Sequence, residues 1–347
     1  MHAVSHLSTL GWTGSRAAAV PQGCIPARVA RVDRGRLTVL TADGESRVHP
    51  GAALYDDAGL SGPAVGDWVA VRGELAVAVL PRTSAFVRTV AGRTSAAQVV
   101  AANLDTVLVV DSLAGDARLR RVERYLAVAW SSGATPVVVL TKADLCDDVA
   151  AALAQVGEDA LGVEVLAVSS VTGDGVDAVR ALLPPGCTGA LVGPSGVGKS
   201  SLVNALSGGE IAATGGIRES DGRGRHTTTA RELHLLPGGG LLVDTPGMRE
   251  LGLYDDEGVD TAYADVALLA AECRFRDCGH RTEPGCAVAA AIGDGRLEPA
   301  RYRAWRKLQA EAHRQLLRVD ARARRPRPGH RPELARGGED GVLSRLR

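Results

Sequence analysis

Between Ala27 and about Leu80 the apolar residues come in short runs broken by turn signals. In ARVARVDRGRLTVLTADGESRVHPG two turns are marked by Asp33-Arg34-Gly35 and Asp43-Gly44, and GDWVAVRGELAVAVL adds a hairpin. Several short strands in about 55 residues predict a small closed barrel, although the spacing also suits other small β domains. Beyond residue 100 the texture changes. DTVLVVDS, TPVVVLTKAD, VEVLAVSS and TGALVGPSG are nearly continuous apolar runs, separated by helical stretches such as RLRRVERYLAVAW. That alternation predicts a mostly parallel sheet with helices on both faces. Ligand loops in such sheets lie at the carboxyl ends of the strands. After Gly247 the strands stop, and residues 258–318 are rich in Ala, Arg and Glu at helical spacing.

The expected division is therefore a multidomain α/β chain. It has a flexible N-terminal extension (1–22), a β-barrel (23–82), a linker (83–100), an α/β domain (101–255), a helical domain (256–318) and a disordered basic tail (319–347).

Charge changes this picture little. The chain has 347 residues and a formal net charge of zero, so nucleic-acid binding can rest only on local patches. Of its basic residues only Lys142, Lys199 and Lys307 are lysines. No apolar run has the ~20 residues of a spanning helix, and no basic-then-apolar leader opens the chain. These features predict a cytoplasmic protein without a membrane partner. The six cysteines do not suggest a disulfide scaffold in a chain this long.

Two of the three lysines lie in candidate nucleotide motifs. Gly193-Pro194-Ser195-Gly196-Val197-Gly198-Lys199-Ser200, followed by Ser201, joins an apolar strand to a helical stretch. The glycines permit a tight loop whose N–H groups bind phosphate, Lys199 neutralises the β- and γ-phosphates, and Ser200 ligates Mg²⁺. Thr141-Lys142-Ala143-Asp144 ends another strand. There Asp144 accepts from guanine N1–H and its 2-amino group, and the Lys142 stem covers the base. Adenine would leave that carboxylate unpaired, at a cost of ~1–3 kcal/mol. Ser169-Ser170 ends the next strand and is placed to meet guanine O6.

Asp244-Thr245-Pro246-Gly247 closes the strand GGLLVDTPG, with Asp244 placed for Mg²⁺ through water and the Gly247 N–H for the γ-phosphate. GRGRHTTT precedes it. Thr227, Thr228 and Thr229 are all candidates for a switch hydroxyl on Mg²⁺, with Thr228 the central one. The order base, base, phosphate, switch, switch is that of a GTPase domain with its ends moved. A nucleotide kinase using the same loop, and an RNA-binding scaffold with a dead nucleotide site, are the competing readings. The first has no use for TKAD, and the second none for Lys199, Ser200 and Asp244.

Cys273, Cys278, His280 and Cys286 offer three thiolates and an imidazole within fourteen positions. That set suits one structural, tetrahedral Zn²⁺; a disulfide or scattered thiols are the alternatives. Cys24, Cys146 and Cys187 read as small packing residues.

Taken together, PAVGDWVAV, QVVAANLDTVLVV, TKAD, GPSGVGKSSLVNAL, GRGRHTTT, DTPGMRE and the cysteine cluster resemble the small-ribosomal-subunit-dependent GTPases called RsgA or YjeQ. The resemblance covers nearly the whole chain. It implies an N-terminal OB-fold, a circularly permuted P-loop GTPase domain and a C-terminal α-helical zinc-binding domain. It implies GTP hydrolysis to GDP and phosphate, stimulated by the 30S subunit during its late maturation. The 30S subunit and its 16S rRNA would be the partners of a monomeric protein that leaves on hydrolysis.

Two departures stand out. Thr141 replaces the usual Asn, which should weaken a bond to the base or to the phosphate loop. Met248 stands where the family commonly has Phe, and where Ras-like enzymes carry a water-orienting Gln. Another group must then position the water. His226 is the first candidate, with Arg223 and Arg225 as phosphate contacts.

Overall fold

The computed structural model describes residues 7–55, 62–89, 97–114, 119–160, 162–209, 231–244, 257–281 and 283–323. Strands β1 (Ile25–Asp33), β2 (Arg36–Thr41), β3 (Gly44–Pro50), β4 (Trp68–Arg72) and β5 (Leu75–Val79) close into the expected barrel. The strand order is β1-β2-β3-β5-β4, with β4 pairing back onto β1 and only β3–β5 parallel, which is an OB-fold arrangement. Alternate residues point inward, so Ala27, Val29, Leu37, Val39, Val48, Val69, Val71 and Ala76 fill it.

The segment 83–100, expected to be a linker, instead forms a hairpin of β6 (Ala85–Thr89) and β7 (Ala97–Ala102). Runs of five and six residues with apolar centres are too short to stand out by pattern alone. The extension expected to be flexible is packed from residue 7 onward. Leu7 and Leu10 are buried, and the Trp12 ring meets Trp68 edge-on at 4.8 Å. Three apolar side chains in six positions make no readable period, yet each finds a hydrophobic slot.

The second, α/β sheet holds β10 (Glu164–Ala167), β9 (Thr135–Thr141), β8 (Thr106–Ser112), β11 (Thr188–Val192) and β13 (Leu241–Asp244), all parallel, and an antiparallel β12 (Glu232–Leu235). The β-branched runs are central strands buried on both faces. Side-chain alternation sorts them into two layers. Val107, Val109, Val138 and Leu140 face α1 (Leu119–Ser131) and α2 (Val149–Asp159). Leu108, Val110, Val137 and Val139 face α3 (Val176–Ala181) and α4 (Lys199–Ser207). β12 also pairs with β1 at Glu232 and Arg31, so barrel and α/β sheet run on into each other.

The junction between them is polar and dry. Arg28 on β1 is 1% exposed; it donates to the Leu10 carbonyl (3.0 Å), the Asn103 carbonyl (2.9 Å) and the Thr188 hydroxyl (3.0 Å), beside the Trp68 ring. Burial pulls its pKa down to about 10, which still leaves it charged at neutral pH. Asp67 is fully buried and accepts from the Ala64 N–H (2.8 Å) and from both arms of Arg82 (2.8 and 2.7 Å).

The remaining helices are α5 (Glu257–Ala262), α6 (Ala264–Ala271), α7 (Ala287–Gly293) and α8 (Pro299–Ala323). The last runs five positions past the point where the tail was expected to begin, because RYRAWRKLQAEAHRQLLR keeps its apolar period. Val259, Tyr263, Val266, Trp305 and Leu308 join the same hydrophobic core as α1. Gly258 lies against α1 so closely that a Cβ would sit 2.5 Å from the Ala127 carbonyl oxygen. Among the described residues no helix is long and apolar enough to cross a membrane.

Candidate functional site: a glycine-rich loop, a strand-end carboxylate and a thiol–imidazole cluster

The phosphate loop leaves the buried strand β11 and enters α4, whose Leu202, Val203 and Leu206 anchor it in the core. Gly193 has φ +146°, and a Cβ there would lie 2.1 Å from the Val110 carbonyl oxygen of β8, so only glycine fits. Gly196 and Gly198 also have positive φ. Lys199 extends back over the loop and donates from Nζ to the carbonyls of Gly193 (2.8 Å) and Pro194. Ser195, Ser200 and Ser201 are exposed at the mouth of the loop, whereas the Val197 side chain is buried beneath it.

The base motif ends β9, two strands away from β11. Thr141 is 2% exposed, and its hydroxyl donates to the Val197 carbonyl of the phosphate loop, with the Asp111 carbonyl 3.1 Å away. The bond to the loop that the loss of Asn was expected to weaken is thus made by the threonine. Lys142 follows in the left-handed region (φ +60°), which swings the chain across to β10. There Asp144, exposed at the surface, accepts from the Ser169 hydroxyl at 2.6 Å. Ser169 is buried and its oxygen also receives the N–H groups of Val171 (3.2 Å) and Thr172 (3.1 Å). Ser170 is half-buried beside it.

The tertiary fold therefore brings Thr141 against Val197 and Gly198 of the loop, and joins the ends of β9 and β10 through the Asp144–Ser169 bond. Sequence reading missed Asp111. It is a buried carboxylate at the end of β8 whose main chain supports Thr141, and its only signal is an acid closing an apolar strand.

Replacing Thr141 by valine keeps the shape and removes one buried hydrogen bond to the loop. GDP affinity is expected to fall about five- to tenfold, read by titration, with serine restoring it.

The Asp244 backbone ends β13, which pairs with β11 directly beside the phosphate loop. The Asp244 side chain, Gly247, His226, Thr228, its threonine neighbours, Arg223, Arg225 and Met248 lie outside the described residues.

The cysteine cluster forms as spaced. One donor atom each from Cys273, Cys278, His280 and Cys286 falls within 4.8 Å of the others. Cys273 Sγ is 3.4 Å from His280 Nδ1 and 3.9 Å from Cys286 Sγ, and Cys286 Sγ is 3.7 Å from that nitrogen. A four-coordinate ion with bonds of about 2.0–2.3 Å needs donors about 3.3–3.8 Å apart, so the four residues can hold a metal ion. Supporting contacts agree. The Ala289 N–H at the start of α7 donates to Cys286 Sγ (3.3 Å), which favours the thiolate. Burial pushes the His280 ring below its ordinary pKa, which favours the neutral imidazole that a metal ion binds. Cys24, Cys146 and Cys187 are free thiols elsewhere in the fold.

Comparison with known proteins gives the following. The RsgA GTPase family matches residues 79–254. The small ribosomal subunit biogenesis GTPase RsgA of Streptomyces coelicolor is 48% identical, over 92% of this chain and 90% of its own length. The protein of the same description from Opitutus terrae is 46% identical, over 92% of this chain and 94% of its own. Among solved structures, YloQ, described as a circularly permuted GTPase, superimposes with a TM-score of 0.60 at 25% identity, covering 88% of this chain and 98% of its own. YjeQ from Thermotoga maritima does so with a TM-score of 0.61 at 24% identity, covering 84% and 99%.

Proposed function

The chain belongs to the RsgA GTPase family, and is thus a GTPase of ribosome biogenesis; from that premise we propose that it binds the 30S subunit, is stimulated by it, and leaves when GTP is hydrolysed. The observation that carries the nucleotide reading is the Thr141 hydroxyl on the Val197 carbonyl, which ties the strand end leading into the Asp144–Ser169 pair to the phosphate loop. A kinase needs no such junction. Asp144 reads the guanine edge, the Lys142 stem covers the ring, and Ser169 and Ser170 shape the O6 side. The loop amides from Gly193 to Ser200 and the Lys199 ammonium hold the phosphates. The Mg²⁺ that accompanies GTP would be held by Ser200, Asp244 and a switch threonine, with Thr228 the candidate, and would neutralise charge on the leaving phosphate.

The attacking water needs a partner, because Met248 has no hydrogen-bonding group to offer. His226 is the proposed one, acting with the switch segment once the subunit is bound. The thiol–imidazole set fits Zn²⁺ best, and the ion would be structural, since four protein donors leave no open position. Barrel and helical domain would grip 16S rRNA from two sides, in the cytoplasm, with the protein acting as a monomer.

GTP turnover measured with and without purified 30S subunits tests this reading. The expected rise is tenfold or more, and an unchanged rate would remove the stimulation. His226→Ala should abolish the rise without altering GDP affinity. Equal subunit affinity with GDP and with a non-hydrolysable GTP analogue would exclude release on hydrolysis.

A further inference from the structure

The metal cluster and the phosphate loop lie in different parts of the fold, yet buried and half-buried contacts link each of them to α1 or to the strand it packs on. At the metal end, the His280 carbonyl accepts from the Tyr302 hydroxyl (3.0 Å), and the His280 ring packs edge-on against Tyr302 (6.4 Å) and Trp305 (5.8 Å). Both aromatic residues are on α8, and Arg301 is next to them.

Arg301 crosses to the GTPase domain. It donates to Glu123 on α1 at 2.7 Å and grips Asp265 with two bonds of 2.7 and 2.8 Å, its guanidinium lying over the Tyr263 ring. Tyr263 is fully buried and donates to the other Glu123 oxygen at 2.9 Å. The paired Glu123 and Arg301 side chains are only 8% and 10% exposed. Burial and the Glu123 charge push the Tyr263 hydroxyl far above its ordinary pKa, so it remains a donor.

At the other end, α1 follows β8 in sequence, and the last residues of β8 touch the nucleotide loops. The Val110 carbonyl walls Gly193, the Asp111 carbonyl flanks Thr141, and the Leu113 N–H donates to the Thr141 carbonyl at 2.9 Å.

We propose that metal binding and nucleotide binding are energetically coupled through α1, with the Glu123–Arg301 pair as the joint. Bound metal fixes His280 and hence the face of α8 that carries Arg301. Arg301 fixes Glu123, and α1 in turn fixes the end of β8 against the phosphate loop. A coupling free energy acts in both directions, so nucleotide must tighten metal binding by the factor with which metal tightens nucleotide binding. The inference rests on the guanine-nucleotide reading and on the metal-fit of the four ligands, and it assigns Glu123 and Arg301 a positioning role toward both.

The experiment uses the full chain. GDP affinity is titrated for the Zn²⁺-loaded protein and for the chelator-stripped protein. Zn²⁺ affinity is measured by competition with a chelator, with and without saturating GDP. The expected result is GDP binding about five- to tenfold weaker after stripping, and Zn²⁺ binding tightened by the same factor with GDP present. Glu123→Gln keeps an acceptor for Tyr263 and removes the charge. It should bind each ligand but reduce both factors to near one. Arg301→Lys, which retains the charge and loses the fork, serves if the first variant does not fold, and should lose most of the factor. Arg124→Gln breaks the more exposed Arg124–Glu311 pair on the same two helices and should leave the factor intact. Equal GDP affinity with and without Zn²⁺, or a Glu123→Gln protein with the wild-type factor, overturns the coupling. Failure of the loaded wild type to bind GDP at all would instead overturn the nucleotide reading, and this inference with it.

Discussion

Lys199→Ala is expected to weaken GTP and GDP binding by about a hundredfold or more while leaving the melting temperature nearly unchanged. The ammonium is held over the loop by the Gly193 and Pro194 carbonyls, so it is in place before ligand arrives. Charge-assisted hydrogen bonds to phosphate contribute about 1.5–3 kcal/mol each. Two of them correspond to about 10²–10⁴ in affinity. The stability cost is small by comparison. The half-buried side chain folds over the loop at the first residue of α4, and the core contacts of α4 come from Leu202, Val203 and Leu206, which are untouched. Calorimetric titration with GDP and a thermal melt check the two halves. Affinity within threefold of wild type would mean that the loop does not hold phosphates in the way described.

The second large effect concerns stability. Removing one member of the Asp67–Arg82 pair strands the other in the barrel wall, at a cost of about 3–5 kcal/mol for a buried pair. The two directions are not equal. Asp67 is 0% exposed and Arg82 19%, so an orphaned guanidinium can turn partly toward water, whereas an orphaned carboxylate cannot. Arg82→Met should therefore destabilise more than Asp67→Ala.

The sign with pH follows from the same burial. Desolvation pushes the Asp67 carboxyl above its ordinary pKa, and the Arg82 fork pulls it back. Without the fork the upward push is opposed only by the Ala64 N–H and the Arg28 charge, so the folded pKa rises further. A carboxyl whose folded pKa is raised favours the folded state most below its unfolded pKa, near 3.9, and that advantage is lost as pH rises through the folded value. The Arg82→Met protein should thus regain stability, relative to wild type, as pH falls from 8 to 5. Melts across that range decide the matter. A constant difference between the two proteins would show that Asp67 is not the stranded charge.

Much of the site was legible because its chemistry is local. The phosphate loop needs glycines at set spacings, a lysine and a hydroxyl in one short run, and the structure builds that run between β11 and α4. The same holds for the four metal ligands, which lie within fourteen positions and need only one knuckle to converge. The barrel was legible in its strands and turns, and its closure as the preferred of two readings. The N-terminal packing and the β6–β7 hairpin were not. Leu7, Leu10 and Trp12 are too few to show a period, and the hairpin runs are too short to separate from a linker.

Periodicity and short-range spacing alone carried the alternation of strands and helices, the inward faces of each strand, the nucleotide loop and the metal ligand set. These depend on backbone geometry repeated every two or 3.6 residues, which the chain states directly. Tertiary structure alone decided which partners the buried charges meet. Arg28 with Thr188, Asp67 with Arg82 and Glu123 with Arg301 are separated by 15 to 178 positions. No local pattern marks a charge for burial, because its partner is chosen by how whole elements pack. A buried ion is tolerated only where that packing brings an opposite charge or hydrogen-bond acceptors to it.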